Sequence, residues 1–275
     1  MKQFKKLTAV ACAAVLALSL AACGGSSSQG TGASSGGSSD QSASSESAGK
    51  EKIIFGTNAE FPPFEFVASN GGLIEDYDGI DIAIVKEVGE TLGVDVAINN
   101  MEFDSLLIAL ENGQIDAAIA GMTVTEERKK SVNFTTPYYT ATQVMITKEG
   151  AGIEKAADME GKTIAVIQGY TGEICVQDLG FEYESFKKGT DAVLELINGK
   201  ADVVVIDSAT AAKYVADNEG LTIVEDPDEF ADEEYAIAVS KDNEKLLGQL
   251  NGVIEKMLAA GTIAELGDKY AVAEE

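Results

Sequence analysis

From Lys52 onward, short apolar runs alternate with stretches that are apolar on one helical face only, and this alternation narrows the fold more than any other feature of the chain. "KIIFGT", "VDVAIN", "DAAIAGM" and "KTIAVIQG" read as strands. "GIDIAIVKEVGETLG" carries Ile82, Val85, Val88 and Leu92 at helical spacing and ends at Gly93. "FDSLLIALENG" reads as a second helix, and another begins near Gly172. "DAVLELINGKADVVVID" is again helix, turn and strand. Strands that alternate with helices predict an α/β fold built mainly on parallel sheets.

Two segments echo one another. "LIALENGQIDAAIAGMT" and "VLELINGKADVVVIDSA" align on their Asn-Gly pairs, each a leucine-bearing helix followed by Asp and an apolar strand. Glycine after asparagine ends a helix easily in the left-handed conformation. The echo predicts two α/β lobes of similar plan. Ligands of open α/β sheets bind outside the carboxyl ends of the strands. Those ends are Gly121, Met122 and Thr123 in one lobe and Asp207 with Ser208 in the other. The first leads to Arg128, the only arginine of the chain, and the second carries a carboxylate. A cation facing an anion across a cleft suits a zwitterion.

Composition removes several function classes. The formal charge of −26 argues against binding a phosphate backbone, which needs a basic face, so no nucleic-acid partner is expected. With no histidine, Ser-His-Asp and Cys-His catalysis and histidine-based zinc sites are excluded, while carboxylate or lysine chemistry remains open; no metal or cofactor is expected. Residues 1–22 read as an export signal: Lys2, Lys5 and Lys6 precede an apolar core too short to favour a stable membrane span. The signal ends "LAAC", which resembles a bacterial lipobox and implies cleavage before Cys23 with acylation (palmitate) at that residue; an ordinary signal with an incidental cysteine is the competing reading. Residues 23–50 are Gly/Ser-rich and read as a flexible tether. Cys175 then has no disulfide partner, and with no histidine to activate it reads as a small packed residue.

The body, from about Lys52 to Tyr270, resembles the family 3 extracellular solute-binding proteins that serve ABC importers of polar amino acids. The resemblance rests on five motifs in order: "GTNAEFPPFEF", "GIDIAIVKEV", "FDSLLIALENGQIDAAIAGMTVTEERKKSVNFTTPYY", "AVIQGYTGE" and "ADVVVID". It implies a type II periplasmic-binding-protein-like fold: two α/β lobes joined by two hinge crossings near Thr140–Gln143 and Glu233–Ala236. Lobe 1 would comprise residues 51–140 and 236–275, and lobe 2 residues 141–235. It implies that Arg128 grips the α-carboxylate of an amino acid, assisted by Gly121, Thr123 and Thr171, while the Gly121 carbonyl and the Thr123 hydroxyl can also complete the bonding of the α-ammonium. Arginine makes a planar two-pronged contact that lysine cannot copy. Asp207 would meet the α-ammonium, and Phe61 and Phe103 would wall the side-chain pocket. The competing readings are a surface ion pair of Arg128 with Glu126 or Glu127, a helix N-cap at Asp207, and core packing for the two rings.

Selectivity maps by resemblance to Asn58, to Ile167 or Gln168, and to Ile206. An amide at Asn58, rather than an acid, favours a neutral polar amino acid such as glutamine; Glu60 keeps a basic one open. The implied protein is a monomeric, lipid-anchored, extracytoplasmic component that delivers its ligand to a permease and an ATPase. One rival is an arogenate or prephenate dehydratase-like enzyme with Glu173 as its acid. The other is a ligand-binding sensor component.

Overall fold

The computed structural model describes residues 51–271. The expected signal segment, Cys23 and the Gly/Ser-rich stretch lie outside the described residues, as do residues 272–275. Two main sheets organise the described chain. The first has five strands in the spatial order Asp95–Asn100, Lys52–Thr57, Ala117–Ala118, Ala238–Ser240, Val132–Phe134. The second runs Tyr183–Phe186, Ile164–Ile167, Val203–Asp207, Tyr139–Lys148, Leu221–Val224, with Asp232–Tyr235 pairing the near end of Tyr139–Lys148. A small three-stranded sheet, Glu60–Phe61, Glu65–Val67 and Tyr77–Asp78, sits beside the first.

The chain passes between the two main sheets twice. It leaves the first after Val132–Phe134 along the ten-residue strand Tyr139–Lys148. It returns through Asp232–Tyr235 to Ala238–Ser240. These crossings explain a departure from the sequence expectation. The pairs Lys52–Thr57 with Asp95–Asn100 and Ile164–Ile167 with Tyr183–Phe186 are parallel, as expected. Every pair made by a crossing strand or by Ala238–Ser240 is antiparallel, so both sheets are mixed.

Local structure follows the residue pattern closely where that pattern is strong. Helix Ile80–Leu92 buries Ile82, Val85 and Val88 and stops at Gly93, whose φ of 68° is left-handed. The two Asn-Gly pairs do the same work in both lobes: Gly113 has φ 67° and Gly199 has φ 72°. The strand expected over "DAAIAGM" is cut to Ala117–Ala118. The cause is three residues on, where Gly121 takes φ 50° and turns the backbone out of the extended conformation. The shortened strand therefore ends in a tight turn, and that turn forms part of the site.

Candidate functional site

The turn at Gly121 is held from behind and crowded from in front. Its N–H donates to Asp81 Oδ2 at 2.8 Å, wholly inside the protein. A Cβ at this position would stand 2.6 Å from the Phe61 ring, so only glycine fits. Two residues on, the Thr123 carbonyl accepts from Arg128 Nη1 at 2.7 Å. Arg128 opens a single helical turn, and its N–H donates to Thr125 Oγ1 at 3.1 Å. Its side chain is drawn inward, 9 % exposed, with the guanidinium carbon 5.2 Å from the centre of the Phe103 ring. Burial lowers its pKa to about 10, opposed by the nearby Glu233, Tyr235 and Tyr170, so it stays charged at neutral pH.

Arg128 also reaches across to the second sheet, where Nη2 donates to the Gly169 carbonyl at 3.1 Å. Gly169 and Tyr170 form the turn that starts helix Thr171–Asp178. Helix N-termini favour anions because their first N–H groups lack intrahelical partners. Thr171, the first residue of this helix, lines the same cavity as Arg128. Asp207 closes the cavity from the strand end beside it. Its Oδ1 accepts from Ala209 and Thr210 N–H at 2.9 and 3.2 Å, which caps helix Ser208–Asp217. Its Oδ2 accepts from the Tyr235 hydroxyl at 2.5 Å. Burial pushes its pKa up to about 6, with the Tyr235 hydroxyl and the two amides pulling down and Glu233 adding to the rise.

The cavity is lined by Phe61, Phe103, Gly121, Thr123, Arg128, Thr171 and Asp207, together with Ala120, Gln143, Tyr170 and Tyr235. It therefore presents a cation, a helix N-terminus and a carboxylate within aromatic walls. That set can hold the two ends of an amino acid: carboxylate towards Arg128 and Thr171, ammonium towards Asp207. The alternative pairing of Arg128 with Glu126 or Glu127 does not occur, since those acids pair with Lys129 and Lys130. Asp207 is the N-cap of helix Ser208–Asp217 and also lines the cavity.

Two sequence candidates stand elsewhere. Gln168 is exposed and absent from the cavity wall; its N–H donates to the Phe186 carbonyl at 2.8 Å. Asn58 is buried, but its amide is taken: Nδ2 donates to the Met101 carbonyl and Oδ1 accepts from the Tyr170 hydroxyl, both at 2.9 Å. Tyr170 brings this about. Its ring packs between Phe61 and Phe103, with centroids at 5.1 and 4.5 Å. It was legible only as one letter of "GYTG".

Glu233 was also missed as a site neighbour. From the return crossing, its Oε2 accepts from Thr123 Oγ1 at 2.8 Å and Thr171 Oγ1 at 2.7 Å, so one carboxylate oxygen ties both sheets together. Glu60, the acid that kept a basic ligand open, is paired with Lys188 at 2.7 Å.

The described body matches the bacterial extracellular solute-binding proteins, family 3, over residues 53–273. The chain belongs to this family. It is 32 % identical over 275 residues to the arginine-binding extracellular protein ArtP of Bacillus subtilis (strain 168), covering 98 % of this chain and 99 % of that protein. Among solved structures it resembles the arginine-, lysine-, histidine-binding protein ArtJ of Geobacillus stearothermophilus with a TM-score of 0.74 and 33 % identity, over 80 % of this chain and 95 % of that one. It also resembles the ancestral amino acid-binding protein AncCDT-1, a precursor of cyclohexadienyl dehydratase. There the TM-score is 0.74 and the identity 30 %, over 80 % of this chain and 96 % of that one. As a family 3 solute-binding protein it has the type II periplasmic-binding-protein fold, with two lobes of mixed α/β structure.

That last likeness sharpens the question of Glu173. Both its oxygens are engaged away from the cavity. Oε2 accepts from Gly169 N–H at 2.6 Å, and Oε1 accepts from Ser185 Oγ at 2.8 Å. Glu173 braces the turn whose carbonyl meets Arg128. Cys175 is half-buried, and burial pushes its thiol up to about 11, which leaves it protonated and unreactive. Among the described residues, no helix is long and apolar enough to cross a membrane, and no cluster of acids and cysteines is arranged to hold a metal.

Proposed function

We propose that this protein captures a free polar amino acid between its two lobes and delivers it to the permease and ATPase of an ABC importer. The observation that carries the reading is the lining of one cavity by Arg128, from the helical turn Arg128–Ser131, by Asp207, from the end of strand Val203–Asp207, and by Thr171 at a helix N-terminus. Arg128 receives the α-carboxylate, Asp207 the α-ammonium, and Gly121 and Thr123 complete the head-group contacts. Only a closed cleft brings all of these to one ligand, so ligand shifts the protein towards its closed form. The segments Thr140–Gln143 and Glu233–Ala236 are the hinges, bounding lobe 1 (51–140, 236–275) and lobe 2 (141–235). A lipid at Cys23 holds the monomer on the extracytoplasmic face through the 23–50 tether.

The side chain of the ligand lies against Phe61, Phe103 and Tyr170. A basic amino acid is the stronger candidate over the glutamine expected from Asn58. The Asn58 amide already donates to the Met101 carbonyl and accepts from the Tyr170 hydroxyl, which draws it away from a ligand side chain. Flat aromatic faces also attract a guanidinium or ammonium. Relatives named for arginine binding support this order, while one named for glutamine binding keeps glutamine as the second candidate.

Thermal melting of the ligand-stripped protein against the amino acids tests the reading. A ligand that binds only the folded state raises the melting temperature by mass action. A shift with arginine or lysine larger than with glutamine is the expected result. No shift with any of them would sink the proposal and return weight to a dehydratase or a sensor. Turnover of arogenate or prephenate that is lost in Glu173→Gln would favour the enzyme.

A further inference from the structure

The cavity has a floor that its ligand contacts do not explain. Behind Gly121 lie two carboxyl groups, Glu65 and Asp81, each 0 % exposed. Both belong to motifs of the sequence, "PPFEF" and "GIDIAI", yet neither touches the cavity. The fold presses them together deliberately. Helix Ile80–Leu92 begins so close to the Phe64–Glu65 backbone that a Cβ at Gly79 would lie 2.1 Å from the Phe64 carbonyl oxygen. The Asp81 N–H donates to that same carbonyl at 2.9 Å.

Asp81 Oδ2 accepts from Gly121 N–H, the only partner within full hydrogen-bond geometry that either acid has among the described side-chain contacts. Both Glu65 oxygens, Asp81 Oδ1 and the Tyr138 hydroxyl stand buried beside one another without one. The groups facing Glu65 are Asp81 from the helix, Asp207 from the second sheet, and the tyrosines Tyr138 and Tyr170. None of them is a cation. Burial beside a second carboxyl and away from any cation strongly disfavours ionising both acids at once.

We propose that Glu65 and Asp81 form a buried acid pair that shares one proton and positions the Gly121 turn for the ammonium group of the ligand. This rests on the amino-acid reading above, which makes Gly121 a head-group contact. Asp81 is the ionised member at neutral pH: burial pushes its pKa up to about 6, and the Gly121 N–H holds it from rising further. Glu65 keeps the proton and points it at Asp81. The bonding of Asp81 then fixes the left-handed turn at Gly121, and its charge lies behind the place where the ligand ammonium arrives. Glu65 and Asp81 are positioning residues that act through Gly121.

The pair carries its own signature. Burial first, and then the Asp81 charge, hold Glu65 protonated well above its ordinary value of 4.5. A carboxyl that keeps its proton longer when folded lends stability that is lost as pH rises from the unfolded value through the folded one. Glu65→Gln retains a donor of the same shape with no proton to lose.

The experiment compares wild type, Glu65→Gln, Glu65→Ala and Asp81→Ala, each as the full chain in detergent and stripped of ligand. Melting temperature is followed from about pH 5 to about pH 8, and affinity is measured with L-arginine and L-glutamine as probes. Glu65→Gln should melt above wild type by a margin that grows with pH, and it should bind within about threefold of wild type. Glu65→Ala should lose affinity that Glu65→Gln keeps. Asp81→Ala should bind at least about tenfold more weakly if it folds. A margin that does not change with pH, or wild-type affinity in a folded Asp81→Ala, overturns the proposal. If wild type binds neither probe, the amino-acid reading fails and the positioning role with it, while the melting margin still decides whether the proton is shared.

Discussion

Arg128→Lys is the substitution that most directly probes the head-group site. Lysine keeps the charge and most of the length, so what changes is the fork. A guanidinium has five N–H donors in one plane. Here two already bond the Thr123 and Gly169 carbonyls at 2.7 and 3.1 Å, which locks the plane in place, and the rest remain for a carboxylate. An ammonium cannot hold two carbonyls and a bidentate carboxylate in that geometry. Losing one charge-assisted bond to the ligand weakens binding by about 1.5–3 kcal/mol, which is roughly 10- to 150-fold in Kd. The fold should survive, since the side chain bridges the sheets at the cavity rather than filling a core. The bond to Gly169 contributes about 1 kcal/mol, or roughly 2–4 °C of melting temperature. Isothermal titration calorimetry on the stripped protein reads the first effect, and ligand-free melting reads the second. Wild-type affinity in a normally melting Arg128→Lys protein would refute the carboxylate role of Arg128.

Binding should also depend on pH through Asp207. Its pKa is pushed up to about 6, so the ligand ammonium loses its partner as pH falls through that value. Affinity at about pH 5 should be roughly tenfold below that at neutral pH, and a flat titration from pH 5 to 7.5 would argue that the ammonium is held elsewhere. The ligand-free protein should show the opposite slope: the raised pKa means that this carboxyl contributes stability at low pH that is lost as pH rises from 3.8 to about 6. Gly121→Ala places a Cβ 2.6 Å from the Phe61 ring at φ 50°, and should lower stability by about 1–3 kcal/mol while abolishing tight binding. Calorimetry showing an intact site in that variant would count against the crowded turn. Tyr170→Phe removes the hydroxyl that occupies Asn58, and should weaken closure by about 0.5–1.5 kcal/mol and raise affinity for glutamine relative to arginine. An unchanged preference across the two amino acids would show that Asn58 does not read the side chain.

The fold was legible wherever a local cause set the structure. Helix Ile80–Leu92 and the strand Lys52–Thr57 have the spacing and length that the residues dictate, and Gly93 ends its helix by taking the conformation that glycine alone takes easily. The repeated Asn-Gly turn was readable for the same reason. The mixed sheets were not, because direction is decided by where the chain crosses between lobes. The residues of Tyr139–Lys148 say that a strand forms and nothing about which neighbour it meets. The shortened strand at Ala117–Ala118 fails for a related reason. Five small and apolar residues extend the pattern to Gly121, but the acceptor on Asp81, 40 residues away, decides where the backbone turns.

The site divides in the same way. Asp207 and the Gly121–Thr123 segment could be placed because an apolar strand run leads into each, whereas the roles of Arg128 and Thr171 came from the motifs of the family resemblance. Gln168 could not, since one residue's displacement in a turn carries a side chain from the cavity to solvent. Tyr170, Glu233, Glu65 and Asp81 were invisible as a group for a deeper reason: each takes its role from a partner contributed by a distant element. Glu233 matters because Thr123 and Thr171 arrive from opposite sheets at a single carboxylate oxygen. Asp81 matters because a glycine N–H needs an acceptor where no water can reach, and an ionised carboxylate supplies it only if Glu65 holds the shared proton. The head-group contacts therefore depend on a layer of polar groups behind them, and those groups would fix how far the cleft can tolerate substitution even where no ligand atom is touched.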